Sequence, residues 1–266
     1  MPLNTRREFL RGTLATGAGL AWSAAAAGAN ARSLTPAAAD HLHLGGILYP
    51  QMDQIDLTGP FEVLSRLPNS TFHLLGKETK PVRDVKGLLL TPEETFRDAP
   101  PLDVLLVPGG WGQQQLMDDE PTLAFLRAQA ATARYVFSVC TGALICGAAG
   151  LLQGVRATTH WSAMQLLPYF GAIPVEQRVV VDGRILSAAG VTAGIDGALR
   201  LAALLRGEAA AQEIQLNIQY APEPPFHSGT PATAPPEILR AQTEAFRSIT
   251  EARLVTARRF AAAKLK

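Results

Sequence analysis

The stretch "RYVFSVCTGALICG", residues 134–147, decides the fold. Arg134 to Val139 is apolar and β-branched, as a buried strand requires, and Thr141 onward is a run of small residues that suits a helix. Cys140 stands at the join. Further upstream, "LDVLLVPGG" (Leu102 to Gly110) is an apolar strand stopped by Pro-Gly-Gly, and "LGGILYP" (Leu44 to Pro50) is another short apolar strand. Each is followed by a helical pattern. "DLTGPFEVLSRL" starts a helix near residues 56–60, and "EPTLAFLRAQAATA" spaces Leu123, Leu126 and Ala130 along one face behind Pro121. Strands that are apolar throughout and alternate with helices form a mostly parallel sheet covered on both faces. The expected fold is one doubly wound α/β domain with a mostly parallel sheet.

Other segments fit that frame. "TFHLLG" and "KGLLLTP" read as strands, and "SAMQLLPYFG" and "EAAAQEIQLNIQY" as helices. "RVVVDGRILSAAG" carries Asp182-Gly183 between two β-branched runs, a hairpin signal. "TAGIDGALRLAALLRG" is a helix that starts at Thr192 and stops at Gly207. A Pro-rich segment, Pro222 to Pro236, leads to a basic C-terminal helix, expected to lie exposed against the domain or against a dimer partner.

Composition narrows the function. Of 266 residues, 47% are hydrophobic and 18% charged, with a formal net charge of +1, so no overall field attracts nucleic acid or an anionic membrane. The first residues differ from the rest. "TRREFLRG" (Thr5 to Gly12) pairs Arg6 and Arg7 ahead of a mild Ala/Gly/Leu stretch, and "ANA" (Ala29 to Ala31) is a small-x-small cleavage site. The arginine pair resembles a twin-arginine export signal; the competing reading is an apolar helix kept on the protein. The expected organisation is a signal at 1–31, a linker at 32–43, an α/β domain at 44–236 and a helical extension at 237–266. The protein is expected to be exported to the periplasm and to act there as a soluble protein, not a membrane one.

Cys140 and Cys146 are the chain's two cysteines. Six residues of helix separate them by about 9 Å, beyond bridging range, so both thiols are expected to be free. A side chain at a strand-to-helix turn is pushed out at the top of the sheet, the place that Ser takes in nucleophile elbows. It also meets the N-terminus of the next helix, which favours an anion, so the Cys140 thiol is expected to titrate below its ordinary range. Its alternative is a small buried filler. Cys146 reads as core. Asp56 is either the cap of its helix or an acid near Cys140; Thr141 also suits a cap. Gly110 is either a tight turn or a backbone N–H donor to developing negative charge. His160 either packs structurally or lines a pocket, and Trp111 stands at the pocket rim. Thr192 and Asp196 read as caps. The five histidines show no metal-ligand spacing, and neither a metal nor a cofactor is expected.

The motifs "PQMDQIDLTGPFEVL", "LDVLLVPGG", "ARYVFSVCTGALICGAAGLLQGVRATTHW", "GAIP", "GVTAGID" and "QLNIQYAPEPPF" resemble, in order and in register from about residue 44 to residue 236, the ThiJ/PfpI superfamily and within it the isonitrile hydratase branch. The resemblance implies that Cys140 is the nucleophile and Asp56 the acid facing it. It makes Thr141, which follows the nucleophile where the peptidase-like branch has His, the third side chain of the catalytic site. It implies a flavodoxin-like fold of the class I glutamine amidotransferase-like type, a small-molecule substrate, a homodimer, and water added to an isonitrile to give an N-substituted formamide through a thioimidate on Cys140. Alternatives within the resemblance are another cysteine hydrolase or a glyoxalase-like enzyme, and a redox- or ligand-sensing module like the sensing half of AraC-type regulators. The chain departs from the pattern in three places: the export signal, Trp111 in place of a small polar residue, and "SAAG" (Ser187 to Gly190), which is poorer in glycine.

Overall fold

A computed structural model describes residues 40–263. The expected export signal, and the linker as far as residue 39, lie outside the described residues. The chain enters strand β1 at Leu42–Ile47, two residues inside the expected linker, because Leu42 pairs with Ser70 at the edge of the core. Helix α1, Gln54–Leu64, follows, then β2, Ser70–Gly76. "KGLLLTP" becomes a strand in part, and not in the main sheet. It gives only Leu89–Leu90 (β4), paired antiparallel with Val82–Arg83 (β3) in a small hairpin whose leucines are half exposed. A short β5, Glu94–Thr95, reaches the edge of the main sheet.

Next come β6 (Val104–Val107), a single turn α2 (Gln113–Leu116), α3 (Glu120–Thr132), β7 (Tyr135–Val139) and α4 (Gly142–Ala148). A minor pair, β8 (Arg156–Ala157) and β9 (Ile173–Pro174), brackets a 3-10 helix at Trp161–Phe170, where an ordinary helix was expected. Pro168 lies within that segment and has no N–H to give an α-helical ladder. The hairpin β10 (Val179–Asp182) and β11 (Ile185–Ala188) turns at Asp182-Gly183 as the sequence predicts, with Gly183 at φ +57°. Helices α5 (Ala193–Arg206), α6 (Glu208–Asn217), α7 (Pro236–Ala245) and α8 (Arg247–Ala263) complete the described chain.

The main sheet has the order β10-β11-β7-β6-β1-β2-β5, and every pairing in it is parallel except β10 with β11. From β1 the chain steps outward to β2, then returns to β6 and continues through β7 toward the other edge. That reversal places the topological switch between β1 and β6, and in such sheets the crevice at the carboxyl ends there holds the ligand. Every residue of β6 is buried, as are Val136, Phe137 and Val139 of β7. Helices α1, α5 and α6 pack on one another, while α3, α4, the 3-10 helix and α8 form a second group, so both faces are covered. The fold is the doubly wound α/β class that the alternation predicts, flavodoxin-like as the resemblance implies. No helix among the described residues is long and apolar enough to cross a membrane.

Candidate active site

Three loops meet at the carboxyl ends of β1, β6 and β7. After β7 the chain turns so sharply that Cys140 takes φ +55°, the left-handed region that an L-residue enters at a cost of about 1–3 kcal/mol. Two bonds hold the elbow: Cys140 donates its N–H to Ala188 at 3.0 Å, and its carbonyl accepts from Thr159 Oγ1 at 2.7 Å. The helix must start at once, and its first residue is glycine for want of room: a Cβ on Gly142 would stand 2.0 Å from the Val107 carbonyl. Cys140 is only 6% exposed.

After β1, Asp53 caps α1, its side chain accepting the Ile55 N–H, so the helix starts at Gln54 and not at residues 56–60. Asp56 is therefore not the cap. It sits in the first turn, fully buried, and its Oδ2 accepts the Gly109 N–H at 2.9 Å. Its other oxygen, Oδ1, has no conventional partner, and the polar side chain that meets the carboxyl is the Cys140 thiol. Pro60, four residues on, has no N–H for the Asp56 carbonyl, which loosens the helix at the turn carrying the acid.

After β6 comes Pro108-Gly109-Gly110. Gly110 has φ +127°, and a Cβ there would stand 2.4 Å from the Asp53 nitrogen, so both conformation and space require glycine. Thr141 occupies the cap position of α4 but makes no side-chain capping bond. Its hydroxyl instead accepts the Gly110 N–H at 3.1 Å and lies 3.2 Å from the Gly110 carbonyl, as donor to it. The Gly110 N–H is thus taken by Thr141 and does not stand free for an oxyanion.

Electrostatics overturn one expectation. The Cys140 thiol titrates well above its ordinary value, because burial penalises the thiolate and Asp56 stands beside it. The Thr141 N–H, directed at the sulfur, works the other way but is outweighed. Burial, then the nearby Asp53, pushes Asp56 up to about 8. Near neutral pH both groups consequently stay mainly protonated, because a carboxylate and a thiolate side by side cannot both be charged cheaply. Cys146, in the body of α4, is pushed up to about 12 by burial alone. Both cysteines are free thiols, as their spacing predicts.

A cavity of about 190 Å³ opens above Cys140, and Gly110, Trp111, Thr141 and His160 are among its walls. Trp111 is 53% exposed at its rim. His160 fills both roles open to it. It lines the cavity, and its Nδ1 meets the Ser162 hydroxyl at 2.9 Å at the start of the 3-10 helix; burial holds it neutral, down to about 4. Thr192 and Asp196 do not cap α5: Thr192 makes no side-chain cap bond, and Asp196 instead takes Arg178 and the Tyr220 hydroxyl.

The model of the DJ-1/PfpI family matches residues 47–204. The chain belongs to the DJ-1/PfpI family. Among relatives of this DJ-1/PfpI chain, an isonitrile hydratase from Pseudomonas putida is 57% identical over 198 residues, 74% of this chain and 87% of that enzyme. An HTH-type transcriptional regulator, GbdR, from Pseudomonas aeruginosa is 32% identical over 132 residues, 49% of this chain but 36% of the regulator. Among solved structures, a THiJ/PfpI family protein from Pseudomonas syringae superposes with a TM-score of 0.81 at 40% identity, covering 82% of this chain and 91% of that one.

Sequence reasoning missed two side chains of this candidate site. Tyr49, just past β1, is buried and donates its hydroxyl to the Pro108 carbonyl at 2.8 Å, tying the first loop to the second. Arg253 arrives from α8, more than a hundred residues beyond the elbow, and also lines the cavity. Nothing in the basic tail distinguishes it from its neighbours Arg258 and Arg259, because only docking of the helix decides which arginine turns inward.

Proposed function

We propose that this protein is a cofactor-free hydratase that adds water to an isonitrile, giving an N-substituted formamide, with Cys140 as nucleophile and Asp56 as the proton-handling acid. The observation that carries the reading is the buried Asp56 beside Cys140: a carboxyl held protonated by burial stands against a thiol at the floor of a small cavity. Support for the substrate class comes from the 57% identical relative.

The steps balance. Cys140 Sγ, as the thiolate left when the pair releases one proton to solvent, bonds to the terminal carbon of R–N≡C, and the Asp56 carboxyl gives its proton to that carbon, leaving a thioimidate, R–N=CH–S. Asp56, now a carboxylate, takes one proton from water as the hydroxide oxygen adds to the same carbon, which leaves the negative charge on nitrogen. As that adduct collapses its hydroxyl proton passes to the nitrogen, the carbonyl forms and the C–S bond breaks, which releases R–NH–CHO and returns the thiolate beside a protonated Asp56. The Thr141 N–H directed at the sulfur favours the thiolate at the first and last steps. Thr141's side chain acts by fixing the Gly110 turn, not by touching substrate. Trp111 and His160 wall the pocket in which the R group lies. The same reading includes export by the twin-arginine route, action in the periplasm and a homodimer.

The test uses the purified protein with cyclohexyl isocyanide, following N-formamide by mass spectrometry, with Cys140→Ala alongside. Formamide made by the parent and lost in a folded Cys140→Ala protein is expected. No formamide from a parent whose Cys140 still alkylates overturns the hydratase reading, and formamide from Cys140→Ala overturns the nucleophile.

A further inference from the structure

Helix α8 is docked firmly on the domain. Thr256 Oγ1 accepts from Gln114 Nε2 at 2.9 Å, Ala257 is fully buried, Arg259 pairs with Asp118, and Phe260 meets the Phe170 ring at 5.7 Å between centroids. At its start, Phe246 packs its ring against His160 and Trp161 and enters the cavity wall. This docking carries Arg253 inward until only 2% of it is exposed. Its Nη2 donates to the Gly110 carbonyl at 3.0 Å, while its Nε is buried with no partner. No Asp or Glu among the described residues lies within ion-pair distance of it, in contrast to Arg66, Arg127, Arg178, Arg247 and Arg259, all paired at the surface. A desolvated guanidinium without a carboxylate is expensive unless it serves a nearby anion.

We infer that Arg253 is a positioning residue of the Cys140 chemistry, with its buried charge facing the Cys140–Asp56 pair and its hydrogen bond fixing the Gly109-Gly110 turn that orients Asp56 and Thr141. Two threads run through that turn. The Gly109 N–H holds Asp56 and the Gly110 N–H meets the Thr141 hydroxyl, so the guanidinium that grips Gly110 sets both. The charge also acts through space on Cys140, with which Arg253 shares the cavity wall. Arg253 favours the Cys140 thiolate and disfavours a charged His160, and is itself favoured by the thiolate. The groups that face Cys140 are Asp56 and Asp53 from α1, Tyr49 from the end of β1, His160 from the start of the 3-10 helix, Lys86 from the exposed loop after β3, and Arg253 from α8. Among these, Lys86 is exposed to solvent, which leaves Arg253 as the buried cation. The helical extension is therefore a working part of the site and not a surface appendage.

The inference rests on Cys140 as the reactive thiol but not on the isonitrile, and alkylation reads the thiol without any substrate. The rate of Cys140 alkylation by iodoacetamide is measured at fixed pH values from 7 to 9, below the midpoint of the raised thiol, on the whole protein, for the parent, Arg253→Met and Arg253→Lys. In Arg253→Met the rate at each pH falls about tenfold, which reads as a midpoint moved up by about one pH unit. Formamide production falls in kcat while KM holds. Arg253→Lys, which keeps the charge, keeps the midpoint. Arg253→Gln, which keeps a donor for Gly110 without the charge, replaces the Met variant if that one does not fold. A folded neutral variant with the parent's midpoint overturns the inference. A shifted midpoint in a protein that never makes formamide leaves it standing and removes only the isonitrile.

Discussion

Cys140 and Cys146 lie one helix apart in the same segment, both buried, both with thiols raised by burial. What separates them is company. Around Cys140 stand a buried acid, a backbone N–H directed at the sulfur, a guanidinium and an open cavity. Around Cys146 desolvation is opposed only by its own backbone. The contrast shows that a thiol's burial says little about its use; the charges and donors arranged around it decide.

The sharpest test of the contrast is native-state alkylation. Cys140 faces the cavity, whereas Cys146 reacts only through opening of the core, so peptide mass spectrometry should show Cys140 modified about 10⁴-fold faster or more. Similar rates would erase the distinction. Next in size, Asp56→Asn strips Cys140 of its acid and should lower formamide production by about 10² to 10⁴. The same variant has a stability signature. Because the Asp56 carboxyl titrates near 8 in the fold against 3.8 ordinarily, the folded state holds its proton more tightly than the unfolded state. The parent thus loses stability as pH climbs between those two values, and Asp56→Asn does not. The difference in Tm, variant minus parent, should be more positive at pH 8 than at pH 5; a gap independent of pH would mean that Asp56 is ionised in the fold at both. The smallest effect belongs to Cys146→Ala, which should leave formamide production intact and cost about 1 kcal/mol, or about 2–4 °C in Tm.

The features legible in the sequence are those that nearest neighbours decide. Asp182-Gly183 between β-branched runs turned as read, the face of α3 built on Leu123, Leu126 and Ala130 is buried, and Cys140 lies at a strand-to-helix elbow. The features that escaped depend on distant partners. Asp53 and Asp56 are equally suited to capping α1 by type and spacing. Asp56 is removed from that role by an N–H from Gly109, which sequence distance conceals. The helix N-terminus at Thr141 argues for a low thiol pKa, and the opposing desolvation becomes visible only once the loops after β1 and β6 close over the sulfur. "KGLLLTP" has the composition of a buried strand but finds no place in the sheet, so its leucines stay partly in water. The pocket side of α8 is concealed for a related reason, since arginine in a basic tail is the ordinary sign of a solvated face.

Position 140 also records a conflict of interest. The elbow holds an L-residue at φ +55°, where glycine would sit without strain, and it buries beside an acid a sulfur whose thiolate would be cheaper in water. The fold alone would be better served by a residue with no side chain there. Under the proposed chemistry, durability and work therefore pull this single position in opposite directions, and its strain is the cost of placing a nucleophile there.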